Sequence, residues 1–146
     1  MKNLLLLFMV IPVVGFGQCV QGNCQNGKGT FKSRYGEYIG EFKKQKFHGK
    51  GTYIFDNGDK YVGEYKKNQK NGRGTMIYHN GDKYTGEWKN NVFEGKGTFT
   101  FGRGDSEGDQ YVGEFKGGLC HGGGTYIFSN GKTEKGIWKK GLKTEE

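Results

Sequence analysis

Four stretches of the chain share one order of apolar and polar residues. They begin YIGEFKKQKFHGKGTYIFDNGDK at Tyr38, YVGEYKKNQKNGRGTMIYHNGDK at Tyr61, YTGEWKNNVFEGKGTFTF at Tyr84 and YVGEFKGGLCHGGGTYIFSNGKT at Tyr111. The starts are 61 − 38 = 23, 84 − 61 = 23 and 111 − 84 = 27 apart, a period of 23 with one four-residue insertion. Within each unit, aromatic residues hold position 1 (Tyr38, Tyr61, Tyr84, Tyr111) and position 5 (Phe42, Tyr65, Trp88, Phe115). Gly holds positions 3, 12 and 14, Thr holds position 15, and large apolar or aromatic residues return at positions 16 and 18. Positions 1, 3, 5 and again 14, 16, 18 alternate with polar or β-branched residues. Period-two alternation rich in aromatics and Thr spells short half-buried strands. No helical periodicity follows the first residues. A fixed period of tens of residues marks a stacked array whose units touch mainly their neighbours. The expected fold class is all-β, an elongated single-sheet array of β-hairpins, curved and twisted, preceded by a signal helix.

Turn chemistry sharpens the register. Asn57-Gly58, Asn80-Gly81 and Asn130-Gly131 separate strand two of one unit from strand one of the next, and Asn-Gly tolerates the positive φ of tight hairpin turns. If every aromatic column shares one face, position 16 pairs with the next Tyr and three loop residues remain, such as Asp56-Asn57-Gly58. A two-residue turn there would flip each Tyr to the other face. Inside a unit the same reasoning pairs position 1 with 18 and position 5 with 14. That register sets Gly at position 3 opposite the aromatic at 16, and Gly at 14 opposite the ring at 5, so rings cover bare backbone. Glu at position 4 (Glu41, Glu64, Glu87, Glu114) and Lys at position 6 (Lys43, Lys66, Lys89, Lys116) fall on the opposite face.

The ends depart from the pattern, as caps do. Residues 1–18 read as a signal peptide: Lys2, an apolar run from Leu4 to Val14, then Gly15-Phe16-Gly17 before a cut after Gly17 or Gln18. The run is short of the roughly 20 residues of a spanning helix. Export to a periplasm, cell surface or extracellular space follows, and an oxidising compartment lets Cys19 and Cys24 pair as a disulfide. Cys120 is left over. Residues 19–37 form a partial repeat one residue short between Gly27 and Tyr38, so the face assignment is not carried into it. Repeats span 38–60, 61–83, 84–110 and 111–133. Residues 134–146 hold a degenerate strand, with Glu134 in place of Tyr and Ile137 in place of Glu, and a polar tail.

Gly is 29 of 146 residues, yet there is 1 Pro and no triplet period, so the chain is not collagen-like. Aromatics at 15% exclude a disordered composition. The net charge of +8 favours anionic partners weakly. The basic residues alternate with Glu through the repeats and read as a solvated face, with no nucleic-acid partner expected.

The unit YxGEW/F followed by GxG and a closing Gly resembles the MORN repeat (membrane occupation and recognition nexus), over nearly all the mature chain. The resemblance implies an elongated hairpin array that binds partners along a groove. It implies a protein or peptide partner first, here on the rows Tyr38, Glu41, Phe42, Tyr61, Glu64, Tyr65, Tyr84, Glu87, Trp88, Tyr111, Glu114 and Phe115. Binding of acidic phospholipid is the family's other proposed role, here through Lys43, Lys66, Lys89 and Lys116.

Catalytic chemistry has little to work with. His48 and His121 fall at hairpin tips of different units and His79 at an inter-unit turn, no His/Cys spacing suits zinc, and no nucleophile has a base and an orienting group. No enzyme activity, cofactor or metal is expected. The insertion around Gly102 to Gln110 carries Asp105, Glu107 and Asp109, short of a calcium loop's ligand set, and an Arg103-Gly104-Asp105 tripeptide. It reads as a surface loop whose four added residues preserve strand parity.

Overall fold

The protein is described from a computed structural model over residues 17–144. The expected leader helix lies outside these residues. Twelve strands follow one another: β1 (Gln18–Gly22), β2 (Gly27–Ser33), β3 (Gly36–Lys43), β4 (Lys46–Phe55), β5 (Lys60–Lys66), β6 (Gln69–Ile77), β7 (Lys83–Lys89), β8 (Val92–Thr100), β9 (Gln110–Lys116), β10 (Leu119–Ile127), β11 (Thr133–Lys139) and β12 (Leu142–Lys143). They form one open antiparallel sheet in sequence order. Each strand pairs with the one before and the one after, so the fold is built from local contacts alone.

Two turn types alternate along the sheet. Between units, the amide of Phe55 donates to the carbonyl of Asp59 and that of Gly58 to Phe55, closing the expected three-residue loop. Gly58, Gly81 and Gly131 take φ of 90°, 93° and 87° in these loops. Within units, two-residue turns join the strands. Lys67 and Asn68 have φ of 51° and 69°, the both-positive pattern of a type I′ turn. The seven-residue span inside the insertion closes on the same pair, Phe101 amide to Asp109 carbonyl, so the added residues project outward and parity is kept. In the N-terminal cap the missing residue is taken from the loop. Ser33 faces Gly36 across two residues, and Phe31 still faces Tyr38.

The inter-unit register is as expected: Tyr53 faces Tyr61, Met76 faces Tyr84 and Phe99 faces Tyr111. The register inside the unit is not. Position 1 pairs with 16 and position 3 with 14, as in Tyr61 with Met76 and Gly63 with Gly74. The two-residue turn starts strand two early, at Gln69, and a bulge between Gly63 and Tyr65 takes up the excess. The displacement is two residues, so every side chain keeps its predicted face.

This register overturns the expected pairing of rings with glycines. The position-3 and position-14 glycines face one another, from Gly29 and Gly40 through Gly51, Gly63, Gly74, Gly86, Gly97, Gly113 and Gly124 to Gly136, while the position-5 rings face the position-12 glycines of the preceding unit, as Trp88 faces Gly72. The cover comes diagonally, from the unit's own Tyr. A Cβ on Gly51 would sit 2.4 Å from the Tyr38 ring, and one on Gly74 would sit 2.2 Å from the Tyr61 hydroxyl oxygen. The bare double row lets each phenol lie flat on the backbone.

The core is the ring face. Tyr38, Tyr61 and Tyr84 are 0% exposed and Tyr111 1%. Each position-1 ring stands edge-on between the position-5 rings of its own unit and the next. Tyr61 is 5.1 Å from Tyr65 and 5.1 Å from Trp88, and Tyr84 is 5.3 Å from Trp88 and 5.0 Å from Phe115. The zigzag runs from Phe42 to Trp138. Edge-to-face pairs add about 0.5–1.5 kcal/mol each beyond the area they bury, so one ladder joins all the units.

Candidate binding surfaces

The two faces differ in what they leave free. The twelve residues expected as a partner-binding row divide between the two faces. Tyr38, Phe42, Tyr61, Tyr65, Tyr84, Trp88, Tyr111 and Phe115 are core, none more than 6% exposed. These rings, expected as partner contacts, are instead removed from solvent by stacking against the neighbouring units. Burial also governs their acidity. It raises Tyr38 and Tyr111 to about 12, and drives Tyr61, Tyr65 and Tyr84 further up. Each position-1 hydroxyl donates to the carbonyl of its own unit's Glu, at 2.9 Å for Tyr38 to Glu41 and 3.0 Å for Tyr61 to Glu64. That bond explains Tyr rather than Phe at position 1: it serves a carbonyl within the bulge.

The Glu row sits on the opposite face and is half-buried to exposed. Each carboxylate bends over the bulge. A Cβ on Gly49, Gly72, Gly95 or Gly122 would meet the Glu carboxylate of its own unit at 2.4–2.9 Å, and Glu64 accepts from the Arg73 amide at 3.0 Å. Across the inter-unit ladder each Glu faces a basic residue: Lys28 faces Glu41, Lys50 faces Glu64, Arg73 faces Glu87 and Lys96 faces Glu114. Where the array ends, both partners change together, to Gly123 facing Ile137. Beside this row runs a second one of Thr and β-branched residues, with Ile39 46%, Val62 44% and Val112 40% exposed. Between the two rows lies an open trough floored by glycine backbone. Arg73, Glu87 and Lys96 form one wall and Thr75, Thr98 and Val112 the other.

The Lys row, Lys43, Lys66, Lys89 and Lys116, is exposed at the edge where the two-residue turns lie. The structure joins Cys19 in a disulfide to Cys24, 5.9 Å between Cα atoms, tying β1 to the loop that follows it. Cys120 is a free, half-buried thiol, packed against the ring core and raised in pKa by that burial.

The opposite edge holds residues that sequence reasoning missed. In the first three units the Asp two residues before the next unit's Tyr reaches into that next unit's loop. Asp59 accepts from the His79 amide at 2.8 Å, Asp82 from the Gly102 amide at 2.8 Å and Asp109 from the Ser129 amide at 2.7 Å. Asp109 also accepts from the Tyr126 hydroxyl at 2.7 Å, so this insertion carboxylate is already committed within the fold. Burial opposes the Asp59 charge, but the His79 amide and ring and the Asn57 amide together hold its carboxyl below the usual value. The Tyr126 hydroxyl and Ser129 amide do the same for Asp109. The signal was present: Asp59, Asp82 and Asp109 each precede a unit's Tyr by two residues, and the fourth matched unit has Lys132 at that place.

The MORN repeat family model matches residues 38–60, 61–83, 84–106 and 111–133. The chain belongs to the MORN-repeat family. A search of the curated proteins finds no match. The third matched MORN unit stops at residue 106 and the fourth starts at 111, which places the insertion in the loop that closes on Phe101 and Asp109. Seen on the structure, the MORN pattern records neighbour contacts. Tyr and the position-5 ring make the ladder, the paired glycines admit it, and Glu holds the bulge.

Proposed function

We propose that the mature chain is an exported, non-enzymatic MORN scaffold that binds a protein partner on its charged face. The observation that carries this reading is the trough between the charged row and the Thr/Val row. It is open, it crosses several units, and Val62 and Val112 stand exposed along its Thr/Val wall. The rings are spent on the core, so the partner-facing residues are Glu41, Glu64, Glu87 and Glu114 with their basic neighbours and Ile39, Val62 and Val112. Strands about 4.8 Å apart give the trough a unit repeat of roughly 9.6 Å. A partner laid along it meets alternating charge at that spacing, which fixes register more than it adds affinity. The test is capture of partners from the host's surface and secreted fractions with wild type and with Val62→Lys/Val112→Lys. Both positions are exposed, so the variant keeps the core. Selective loss of captured proteins in the variant supports the trough; an identical set at equal yield overturns it.

A second reading rests on a different observation. Lys43, Lys66, Lys89 and Lys116 line one edge together with the turn residues Lys44, Lys67 and Lys140. Each Lys near an anionic membrane contributes about 1 kcal/mol. Sedimentation with anionic vesicles that disappears at high salt supports this edge as a membrane contact. Binding that is absent, or indifferent to salt, removes it.

A further inference from the structure

Asn precedes Gly five times in this chain, at Asn26, Asn57, Asn71, Asn80 and Asn130. Such pairs are open to one spontaneous reaction. The Gly amide nitrogen loses its proton and attacks the Asn Cγ, forming a C–N bond. The Cγ–Nδ2 bond breaks, ammonia leaves, and a five-membered imide remains. Water then opens the imide at one carbonyl or the other, giving Asp or isoaspartate. No oxidant, metal or enzyme is required.

The structure separates the five sites. Gly72 lies in β6 opposite Trp88 and Gly27 in β2 opposite Phe42, both held in the ladder. Asn71 also donates to Asn90 Oδ1, and Asn26 Oδ1 accepts from the Lys44 amide. The three loop sites share one backbone. In each, the Gly amide donates to the residue three back, at 3.0 Å for Gly58, 2.9 Å for Gly81 and 2.8 Å for Gly131. In each, the Asn Oδ1 accepts the amide of the residue two on, at 3.0, 3.0 and 2.9 Å. That contact polarises the carbonyl that is attacked, equally in all three.

They differ at one residue. Asn57 Nδ2 donates to Asp59 Oδ2 at 3.1 Å and Asn80 Nδ2 to Asp82 Oδ2 at 2.9 Å. Those carboxylates lock the side chain, and their charge opposes proton loss from the neighbouring Gly amide. After Asn130 the same position is Lys132. Among the described residues no carboxylate takes the Asn130 amide, the side chain is exposed, and the nearby charge is positive. A positive charge favours the deprotonated Gly131 nitrogen and the oxyanion that follows, as a nearby cation favours any ionised group.

We propose that Asn130 is the chain's selective deamidation site. Isoaspartate there adds a backbone carbon to a loop whose three-residue length sets the register of β11. Ageing of the protein therefore begins at the β10–β11 hairpin, whose Trp138 stands at the end of the ring ladder.

The test is peptide mapping by mass spectrometry of the full chain aged at mildly alkaline pH, folded and in urea. In the folded protein Asn130 converts severalfold faster than Asn57, Asn80, Asn26 or Asn71. In urea the spread among the loop sites shrinks, because their locks are gone. Lys132→Asp slows Asn130 to the rate of Asn57. Equal rates at the three loops in the folded protein, earlier conversion of Asn26 or Asn71, or an unchanged Asn130 rate in folded Lys132→Asp overturns the proposal. Should that variant not fold, the folded-to-urea comparison on the unaltered chain decides alone.

Discussion

The ring face and the charged face carry columns of the same period, and the sequence marks both with equal regularity. On one face Tyr61 sits between two rings and out of solvent. On the other, Lys66 points into water. Repetition thus reports that units stack; it does not say whether a repeated residue holds the stack or is free for a partner. Contact with the next unit makes that distinction, and it is a property of register.

The sharpest way to break the contrast is alkaline pH, which ionises the ring face. Tyr38, Tyr61, Tyr65, Tyr84 and Tyr111 all have folded pKa values raised by burial above the unfolded 10.0. Raised folded values mean the stability they confer is complete below about pH 10 and is lost as pH climbs through 12 and beyond. The expected outcome is cooperative unfolding in that window, with phenolate absorbance and loss of sheet circular dichroism rising together. Phenolate absorbance that completes before the sheet melts would show the rings open to solvent.

Next in size is truncation of one ring against one charge. Tyr84→Ala removes a ring fixed by Trp88, Phe93 and Phe115, at a cost of about 3–5 kcal/mol, as for other large aromatic truncations. Lys66→Ala stays within about 0.5 kcal/mol of wild type, as exposed substitutions do. Urea unfolding of the two variants measures both. Similar losses would erase the distinction between the faces.

A smaller effect separates glycines that look alike in the chain. Gly74 and Gly123 both lie in strand-two segments, neither with a positive φ. Alanine at Gly74 drives a methyl into the Tyr61 phenol at 2.2 Å, whereas nothing lies within 4 Å of one at Gly123. Gly74→Ala is expected to cost about 1–3 kcal/mol, the usual range for overpacking. Gly123→Ala is expected to be neutral or slightly stabilising, since Gly weakens a strand interior. Thermal melts of the pair give the answer directly.

Much of this fold is legible in the sequence. The all-β array, the shared face of the aromatic columns and the three-residue loops all follow from period-two alternation and Asn-Gly. What escaped was the pairing inside the unit: the two-residue turns Lys44-Gln45, Lys67-Asn68 and Asn90-Asn91 carry no glycine to announce them, the Gly117-Gly118 that did mark the fourth went unread, and a bulge leaves no mark on parity. With the bulge unseen, Glu looked free and the rings looked available. The Asp staples were visible as a column and went unread, since an acidic residue two before each Tyr resembles ordinary loop polarity until the next unit's loop is folded against it. The trough was beyond reach for the same reason. It depends on which rows the register sets side by side.

The finest comparison lies within the ring face, at position 10. Phe47 stacks on Tyr38 at 3.8 Å and Phe93 on Tyr84 at 3.7 Å. In the second unit the residue is Lys70, whose Nζ lies 4.9 Å from the Trp88 ring and 5.4 Å from those of Tyr61 and Phe55. Burial depresses the Lys70 pKa, and the Asp59 charge only partly restores it. A folded value below the unfolded 10.5 means the ammonium opposes folding at neutral pH, and that this opposition fades as pH rises toward 10.5. Lys70→Phe removes the half-buried charge and supplies the stacked pair of the first and third units, a gain of about 0.5–1.5 kcal/mol by the worth of such pairs. Against it stands the lost cation–ring contact, worth about 0.5–1 kcal/mol where solvent still reaches the site. The net expectation is a small stabilisation at pH 7 that narrows as the pH is raised, read as the difference between variant and wild type so that tyrosine ionisation cancels. A destabilised variant would mean that the three rings around Lys70 are arranged for a cation. Position 10 would then be a place where the array departs from its own repeat to hold charge.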